Sequence, residues 1–263
     1  MKTEKEHQES FAWERSTHYA TYNVILGDYI AQSVIDHIPQ GTLLDLACGD
    51  GTLTKRLATH YTRVVGVDAS PEHLEKARKS VPNAHFHEAL IEDFQTDERF
   101  DGVVMVCLLE HVVDPVAVLR AAARFLKPSG TLMVHVPNAE AINRRIAVEM
   151  GTLATLEELS PFDINIAGHR RSYTMDTFVR DVEASGLQVT TTGGVFYKML
   201  STPQMDWFLA NGKWEGNEFG WGRIGETSSK DWRSEFCRAC YIIGRERPRD
   251  TNVIFACAKM QGQ

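Results

Sequence analysis

The 263-residue chain has no long apolar run; the longest unbroken one is VVMVCLL, residues 103–109. A membrane helix needs about 20 such residues, so no membrane span is expected. The N-terminus, MKTEKEHQES, lacks the apolar stretch of a secretory signal, and a cytoplasmic protein is the expectation. Positive charge is also short: 28 Lys and Arg stand against 35 Asp and Glu, a formal net charge of −7, with no basic run. This argues against a nucleic-acid partner. The five cysteines are too few, and odd in number, for a disulfide framework. Cys237 and Cys240 form a lone CxxC, with no second CxxC or HxxxH pair to complete a four-ligand zinc site. No metal is therefore expected, and the two thiols are read as sharing one helix face. There are no repeats, no low-complexity tracts and no GxxxxGK[ST] loop for a nucleoside triphosphate.

What the chain does hold is material for a core. Apolar residues make up 43% and charged residues 24%, an ordinary globular balance. At roughly 100–200 residues per domain, one large domain with additions is expected. Residues 1–10 read as frayed. Over 11–38, Trp13, Tyr22, Ile25, Leu26, Tyr29, Ile30, Val34 and Ile38 recur at helical spacing until Pro39-Gln40-Gly41. Strand and helix then alternate: strands over 42–47, 63–69, 84–89, 100–109 and 131–137, with helices over 52–61, from Ser70-Pro71, and over 115–126. Such alternation gives an α/β fold with a doubly wound, mostly parallel sheet. Farther on we expect a helix over 175–186 and a strand with a Gly-Gly bend over 187–200. A helix carrying Trp232, Phe236, Cys240 and Ile243 and a last strand over 252–260 complete the pattern.

The densest chemistry is LLDLACGDG, residues 43–51. Gly49 and Gly51 let the backbone turn tightly after a strand and approach a ligand. The N-terminus of the next helix faces the same crevice. Asp68 ends the second strand, 23 residues after Asp45, about where a carboxylate grips a ribose diol. Thr54 stands where a dinucleotide turn has its third glycine. That favours a ligand with ribose and no pyrophosphate, and argues against an NAD-dependent oxidoreductase. The plainer readings are that Asp45 caps the turn and that Cys48 and Cys107 fill the core.

These segments carry a resemblance. DLACGDG resembles the glycine motif of class I S-adenosylmethionine (SAM)-dependent methyltransferases, and VVGVDAS their second motif. FDGVVMVCLLEHVVDP resembles their fourth-strand motif and FLKPSGTLMVHVPN their fifth-strand segment, all in order over residues 41–138. The resemblance implies a Rossmann-like methyltransferase fold with SAM as cofactor and S-adenosyl-L-homocysteine (SAH) as its product. It implies that Asp45, Ala47, Gly49 and Gly51 surround the methionine portion, that Asp68 holds the ribose, and that Ala69 lies beside the adenine. The family often has an acid at the position of Leu90, so backbone at Leu90 and Ile91 would serve the adenine here. Val106 and Cys107 match positions beside the methionine tail. Tyr22 lies in an N-terminal helix that resembles the segment covering SAM in many of these enzymes, and is a further candidate contact.

On the acceptor side, Glu110-His111 follows the fourth strand, and His111 titrates near neutrality, as a base for a hydroxyl should. Packing is its plainer use. GHRRSY, residues 168–173, holds His169 as a second candidate base. Arg170, Arg171, Tyr173 and Arg144 are candidates for holding an acceptor's carboxylate or phosphate; pairing with Asp163, Glu157 or Glu158 is the alternative for the arginines. The aromatic stretch 203–222, with Trp207, Phe208, Trp214, Phe219 and Trp221, reads as a lid with Trp207 against a planar acceptor, a satellite core, or a homodimer contact. The function implied is methyl transfer from SAM to a small molecule, preferably at oxygen because two histidines are at hand, otherwise at nitrogen. A SAM-binding module without catalysis is the alternative. The absence of an NPPY-like stretch further disfavours methylation of nucleic-acid bases. The expected layout is one domain: a helical cover over 1–40, a SAM-binding core over 41–138, acceptor-side additions over 139–174 and 201–251, and segments 175–200 and 252–260 completing the sheet.

Overall fold

The computed structural model describes residues 18–214 and 231–261. Helix α1 (Ala20–His37) precedes β1 (Thr42–Leu46), α2 (Thr52–Leu57), β2 (Arg63–Asp68), α3 (Pro71–Ser80) and β3 (His85–Glu88). Then come β4 (Phe100–Val106), α4 (Pro115–Ala123), β5 (Leu126–Pro137) and α5 (Ile142–Glu149). A π-helical turn (Asp163–Ala167), α6 (Met175–Ala184), β6 (Leu187–Tyr197), α7 (Thr202–Asn211), α8 (Trp232–Glu246) and β7 (Thr251–Met260) complete the described chain.

The strands form one sheet in the order β3-β2-β1-β4-β5-β7-β6. The first five are parallel, while β7 runs antiparallel between β5 and β6. Two reversals restore direction, so β6 ends at the same sheet edge as β1 to β5. The strand order turns back between β1 and β4, and the crevice beyond the carboxyl ends there is where open α/β sheets bind ligands.

Both sheet faces are covered, which is why the strands read as apolar runs rather than alternating ones. Leu44, Val65, Val103 and Met105 pack on one face with Val118, Leu119, Phe178 and Val182 from α4 and α6. Leu43, Val64 and Val104 pack on the other with Leu26, Ile30 and Val34 of α1, Leu209 of α7 and Tyr241 of α8. Helix starts follow local chemistry. Ser70 Oγ caps His73 N–H ahead of Pro71, Asp114 caps Ala117 N–H ahead of Pro115, and Thr174 and Thr177 form a reciprocal capping box.

Two readings change. β5 begins at Leu126 rather than at 131; Leu126 already pairs with Phe100, and a bulge carries the register on to Gly102–Thr131. Gly193-Gly194 makes no bend, since β6 stays paired with β7 through both residues. A Cβ at Gly193 would run into the Phe255 ring, and one at Gly194 into Thr251, so these glycines make room for the neighbouring strand. Cys237 and Cys240 lie in the core facing α1, where burial pushes their thiols up to about 11 and about 12. Trp13, Phe219 and Trp221 lie outside the described residues. No described helix is long and apolar enough to cross a membrane.

Candidate active site

A cavity of about 1520 Å³ runs along the carboxyl edge of the sheet. Small-molecule pockets usually measure about 300–1,000 Å³, so this one has room for two ligands side by side.

One half is built by the ends of β1, β2 and β4. Ala47 and Cys107, at neighbouring strand ends, take left-handed φ angles of 59° and 51°. Such strain costs on the order of 1–3 kcal/mol per residue, and both residues line the cavity. Gly49 is also left-handed, and a Cβ there would meet nothing within 4 Å, so the turn borders open space. Asp68 orients that turn: its carboxylate accepts from Gly49 N–H at 2.8 Å and Ser70 N–H at 2.9 Å. A carboxylate has about four acceptor sites, so a vicinal diol still fits. The same carboxylate lies 3.6 Å from His73 Nδ1 and raises that imidazole's pKa. Asp45 is buried and accepts from Thr54 Oγ1 at 2.7 Å. That bond explains the missing third glycine: Thr54 uses its hydroxyl to tie α2 to the end of β1. Leu90 accepts at its carbonyl from the N–H groups of Asp93 and Phe94, and Ala69, Leu90, Ile91 and Val106 all line the cavity.

Two residues expected on this side lie elsewhere. Gly51 has φ 77° but does not line the cavity; a Cβ there would stand 2.9 Å from Ala77 Cβ, so it lets α3 approach closely. Tyr22 is 1% exposed and sits edge-on to Phe196 at 5.9 Å. The apolar stripe of α1 turns it into the core, and Tyr19, at the start of that helix, lines the cavity instead.

The other half gathers side chains from distant segments. A turn after β4 (His111 N–H to Leu108 O, 2.9 Å) brings Glu110 and His111 to the same wall, with His111 Nε2 3.8 Å from Glu110 Oε1. Glu110 is 1% exposed. His169 meets His111 edge-to-face at 4.8 Å between ring centres. Behind it, His169 Nδ1 lies 3.5 Å from Asp163 Oδ1. Burial alone would raise the Asp163 carboxyl, but hydrogen bonds from His169 and Ser160 outweigh it and hold the pKa at about 2.

The arginine pair does a different job from the one its sequence suggested. Arg171 donates to the carbonyls of Leu109 (2.6 Å), Val112 (2.5 Å) and Val113 (3.0 Å). Arg170 donates to the His111 carbonyl at 2.7 Å. Neither lines the cavity; together they fasten the 168–173 segment to the loop after β4 and set His169 against His111. Tyr173 is buried, donates to Asp181 at 3.2 Å, and packs on Phe178. Trp207 is 64% exposed on α7 and stands off the cavity. Arg144 does line it, donating to the carbonyls of Leu156 and Glu158 with Nη1 3.6 Å from Asp163.

Sequence reasoning missed Lys198. It follows β6, is 3% exposed, lines the cavity and donates to Thr202 Oγ1 at 2.9 Å. Burial, then repulsion from Arg144, pushes its pKa down to about 7. The signal for it was its place just past a strand, but only the antiparallel β7 puts that strand's end at this edge. Glu110, His111 and His169 were missed as a set. Their ligand-capable atoms all lie within 4.8 Å of one another, whereas His169 stands far from the other two in sequence.

Residues 19–192 match the model of a family described as methyltransferase domain. Among curated proteins, the chain is similar to a ubiquinone biosynthesis O-methyltransferase of Xanthomonas campestris pv. campestris, 34% identical over 122 residues, or 44% of this chain and 50% of that protein. It is similar to a trans-aconitate 2-methyltransferase of Enterobacter sp. (strain 638), 29% identical over 194 residues, or 70% of this chain and 71% of that protein. It thus spans about half the length of the first of these relatives. Among solved structures, it resembles a SAM-dependent methyltransferase, possible histamine N-methyltransferase, from Thermotoga maritima, with a TM-score of 0.62 at 16% identity over 98% of this chain and 100% of that one. It also resembles the N-methyltransferase NodS of Bradyrhizobium japonicum WM9 in complex with SAH, with a TM-score of 0.53 at 14% identity over 98% of this chain and 96% of that one. At those identities the likeness speaks for the fold. With the family model covering residues 19–192 and the motif-bearing strands β1, β2, β4 and β5 side by side in one sheet, the chain belongs to the methyltransferase domain family and has the Rossmann-like fold of the SAM-dependent methyltransferases.

Proposed function

We propose that this chain is an enzyme that methylates an oxygen of a small-molecule acceptor, using SAM. The observation that carries this reading is that the Ala47–Gly49 turn and the Glu110–His111–His169 group line one continuous cavity. When bound, SAM supplies a methyl group on a sulfonium, open to in-line displacement.

The chain's own residues bind, orient and accept a proton. Asp68 takes the ribose hydroxyls with its two remaining acceptor sites. Backbone at Ala47 and Gly49, near Asp45, holds the methionine portion, with Val106 and Cys107 beside it. Ala69, Leu90 and Ile91 enclose the adenine. Across the cavity, His111 and His169 face the acceptor hydroxyl, and either imidazole can take its proton. Lys198 and Arg144 form a cationic wall suited to an anionic group on the acceptor, which would also restore the charge that burial withdraws from Lys198. The relatives named for ubiquinone biosynthesis and for trans-aconitate support a small, oxygen-bearing acceptor. Five cysteines, none of them in a disulfide among the described residues, suit a reducing compartment, in keeping with a cytoplasmic enzyme.

Incubation with methyl-labelled SAM and a fractionated small-metabolite pool tests the reading. Label is expected in a low-molecular-weight product. Label confined to macromolecules would reject the acceptor class, and absence of saturable SAH binding by calorimetry would reject the reading as a whole.

A further inference from the structure

We infer that Glu110, His111 and His169 hold one divalent transition-metal ion at the acceptor wall of the cavity. The inference deepens the proposed methyl transfer and rests on it for the ion's role, though not for its binding.

The donors are a carboxylate oxygen and two imidazole nitrogens, all within 4.8 Å of one another. Ligands bound at roughly 2.0–2.2 Å to one ion lie about 3–4 Å apart, so small side-chain rotations close the site. Two of the donors share one tight turn, and the third is fastened to it. Arg170 N–H donates to the Glu110 carbonyl at 2.8 Å, and His169 N–H to the Asp163 carbonyl at 2.8 Å. The His169 ring is backed by Asp163, 3.5 Å from Nδ1. Asp163 is itself fixed by the N–H and Oγ of Ser160, both at 2.8 Å. A carboxylate behind a histidine ring is the arrangement that orients a metal-ligating imidazole and strengthens it as a donor. Here it would leave Nε2 to face the ion.

The donor set selects the ion. Two imidazoles with one carboxylate suit Mn²⁺, Co²⁺ or Zn²⁺, whereas Mg²⁺ and Ca²⁺ favour all-oxygen shells. Three protein ligands leave coordination positions open, as catalytic sites do and closed structural sites do not. The open positions face the cavity and fit an acceptor with two neighbouring oxygen donors. An ion there lowers the pKa of a coordinated hydroxyl as it does that of water. The proton then passes to solvent, and neither histidine is needed as a base.

Titration of the untagged, chelator-treated full chain with Co²⁺, followed by visible absorption, tests the site directly, with Zn²⁺ competition by calorimetry. One ion per chain is expected, with the spectrum of nitrogen-ligated Co²⁺. Glu110→Gln and His169→Ala should each weaken binding at least tenfold. Asp163→Asn should weaken it by about 10–100-fold, and His85→Ala, on exposed β3, should leave it unchanged. SAH calorimetry on each variant reports whether the cofactor half has stayed folded. No saturable binding, or Co²⁺ affinity undiminished from the parent's in both ligand variants, would overturn the metal site. Full turnover in excess chelator would overturn the ion's role in the transfer, while leaving the methyl-transfer reading intact with the histidines as bases. Co²⁺ binding retained in a chain that takes up no SAH would uphold the site and remove the methyl-transfer reading instead.

Discussion

On the side of the cavity proposed for the cofactor, Asp68 reaches Gly49 across 19 residues, and the surface is largely backbone: two left-handed strand ends and a glycine turn. On the acceptor side, Glu110, His111, Arg144, Asp163, His169 and Lys198 come from segments spread over the chain, and side chains make the surface. The first half depends on local conformation, the second on how separate segments are fastened together. Arg170 and Arg171 do that fastening through backbone carbonyls. Damage should therefore differ in kind between the halves: cofactor affinity on one side, rate on the other.

The largest expected effect tests that division. Whether each imidazole takes the proton itself or holds the ion that acidifies the hydroxyl, His111→Ala or His169→Ala should lower turnover by about 10²–10⁴-fold, the usual worth of assisting a proton transfer, with SAH affinity by calorimetry nearly unchanged. A parallel loss of SAH affinity would break the comparison. Asp68→Ala is the converse. Removing a charged hydrogen-bond acceptor costs about 1.5–3 kcal/mol, so SAH should bind roughly 10–150-fold more weakly. Undiminished affinity would dismiss Asp68 as the ribose acid.

Stability sharpens the same contrast. Gly51→Ala puts a Cβ 2.9 Å from that of Ala77 at φ 77°, and should cost about 1–3 kcal/mol in denaturant unfolding. The paired change Ala77→Gly should recover only the part due to the Cβ contact, since the Ala77 Cα stands 3.0 Å away and stays. On the acceptor side, Lys198 has a folded pKa of about 7, depressed from 10.5. The unfolded chain therefore binds the extra proton between those values, and stability gains from this residue as pH rises through that window. Its cost is complete below about 7. Lys198→Met should raise the melting temperature relative to the parent at pH 6, by a margin that shrinks by pH 9. A constant margin would place the lysine's charge outside the cavity's electrostatics. The smallest effect belongs to Trp207→Ala. As an exposed side chain away from the cavity, it should change stability by no more than about 0.5 kcal/mol and leave steady-state turnover unchanged.

How much was legible follows the same line. The glycine turn, Asp68 and the strand ends at Ala47 and Cys107 were readable because neighbouring residues in one motif do the work. Tyr22 was misplaced because α1 carries two aromatic residues close together, and only packing on Phe196 decides which of them faces inward. The arginine pair was misread because a guanidinium suits a carbonyl as well as a carboxylate, and its partners lie about sixty residues back. Lys198 gave only its place just past a strand: a lysine there looks solvated until the antiparallel β7 brings that strand's end to the cavity edge.

The sequence by itself determined the alternating α/β sheet, the family and the turn proposed to hold the cofactor. In those parts the backbone conformation is encoded locally, by glycines, caps and apolar runs a few residues long. Only the tertiary structure decided the acceptor half. The Glu110–His111–His169 group and the depressed Lys198 exist because a loop, an arginine clasp and an antiparallel strand bring distant side chains into one desolvated space. Their chemistry depends on distance and burial, which sequence spacing alone does not fix.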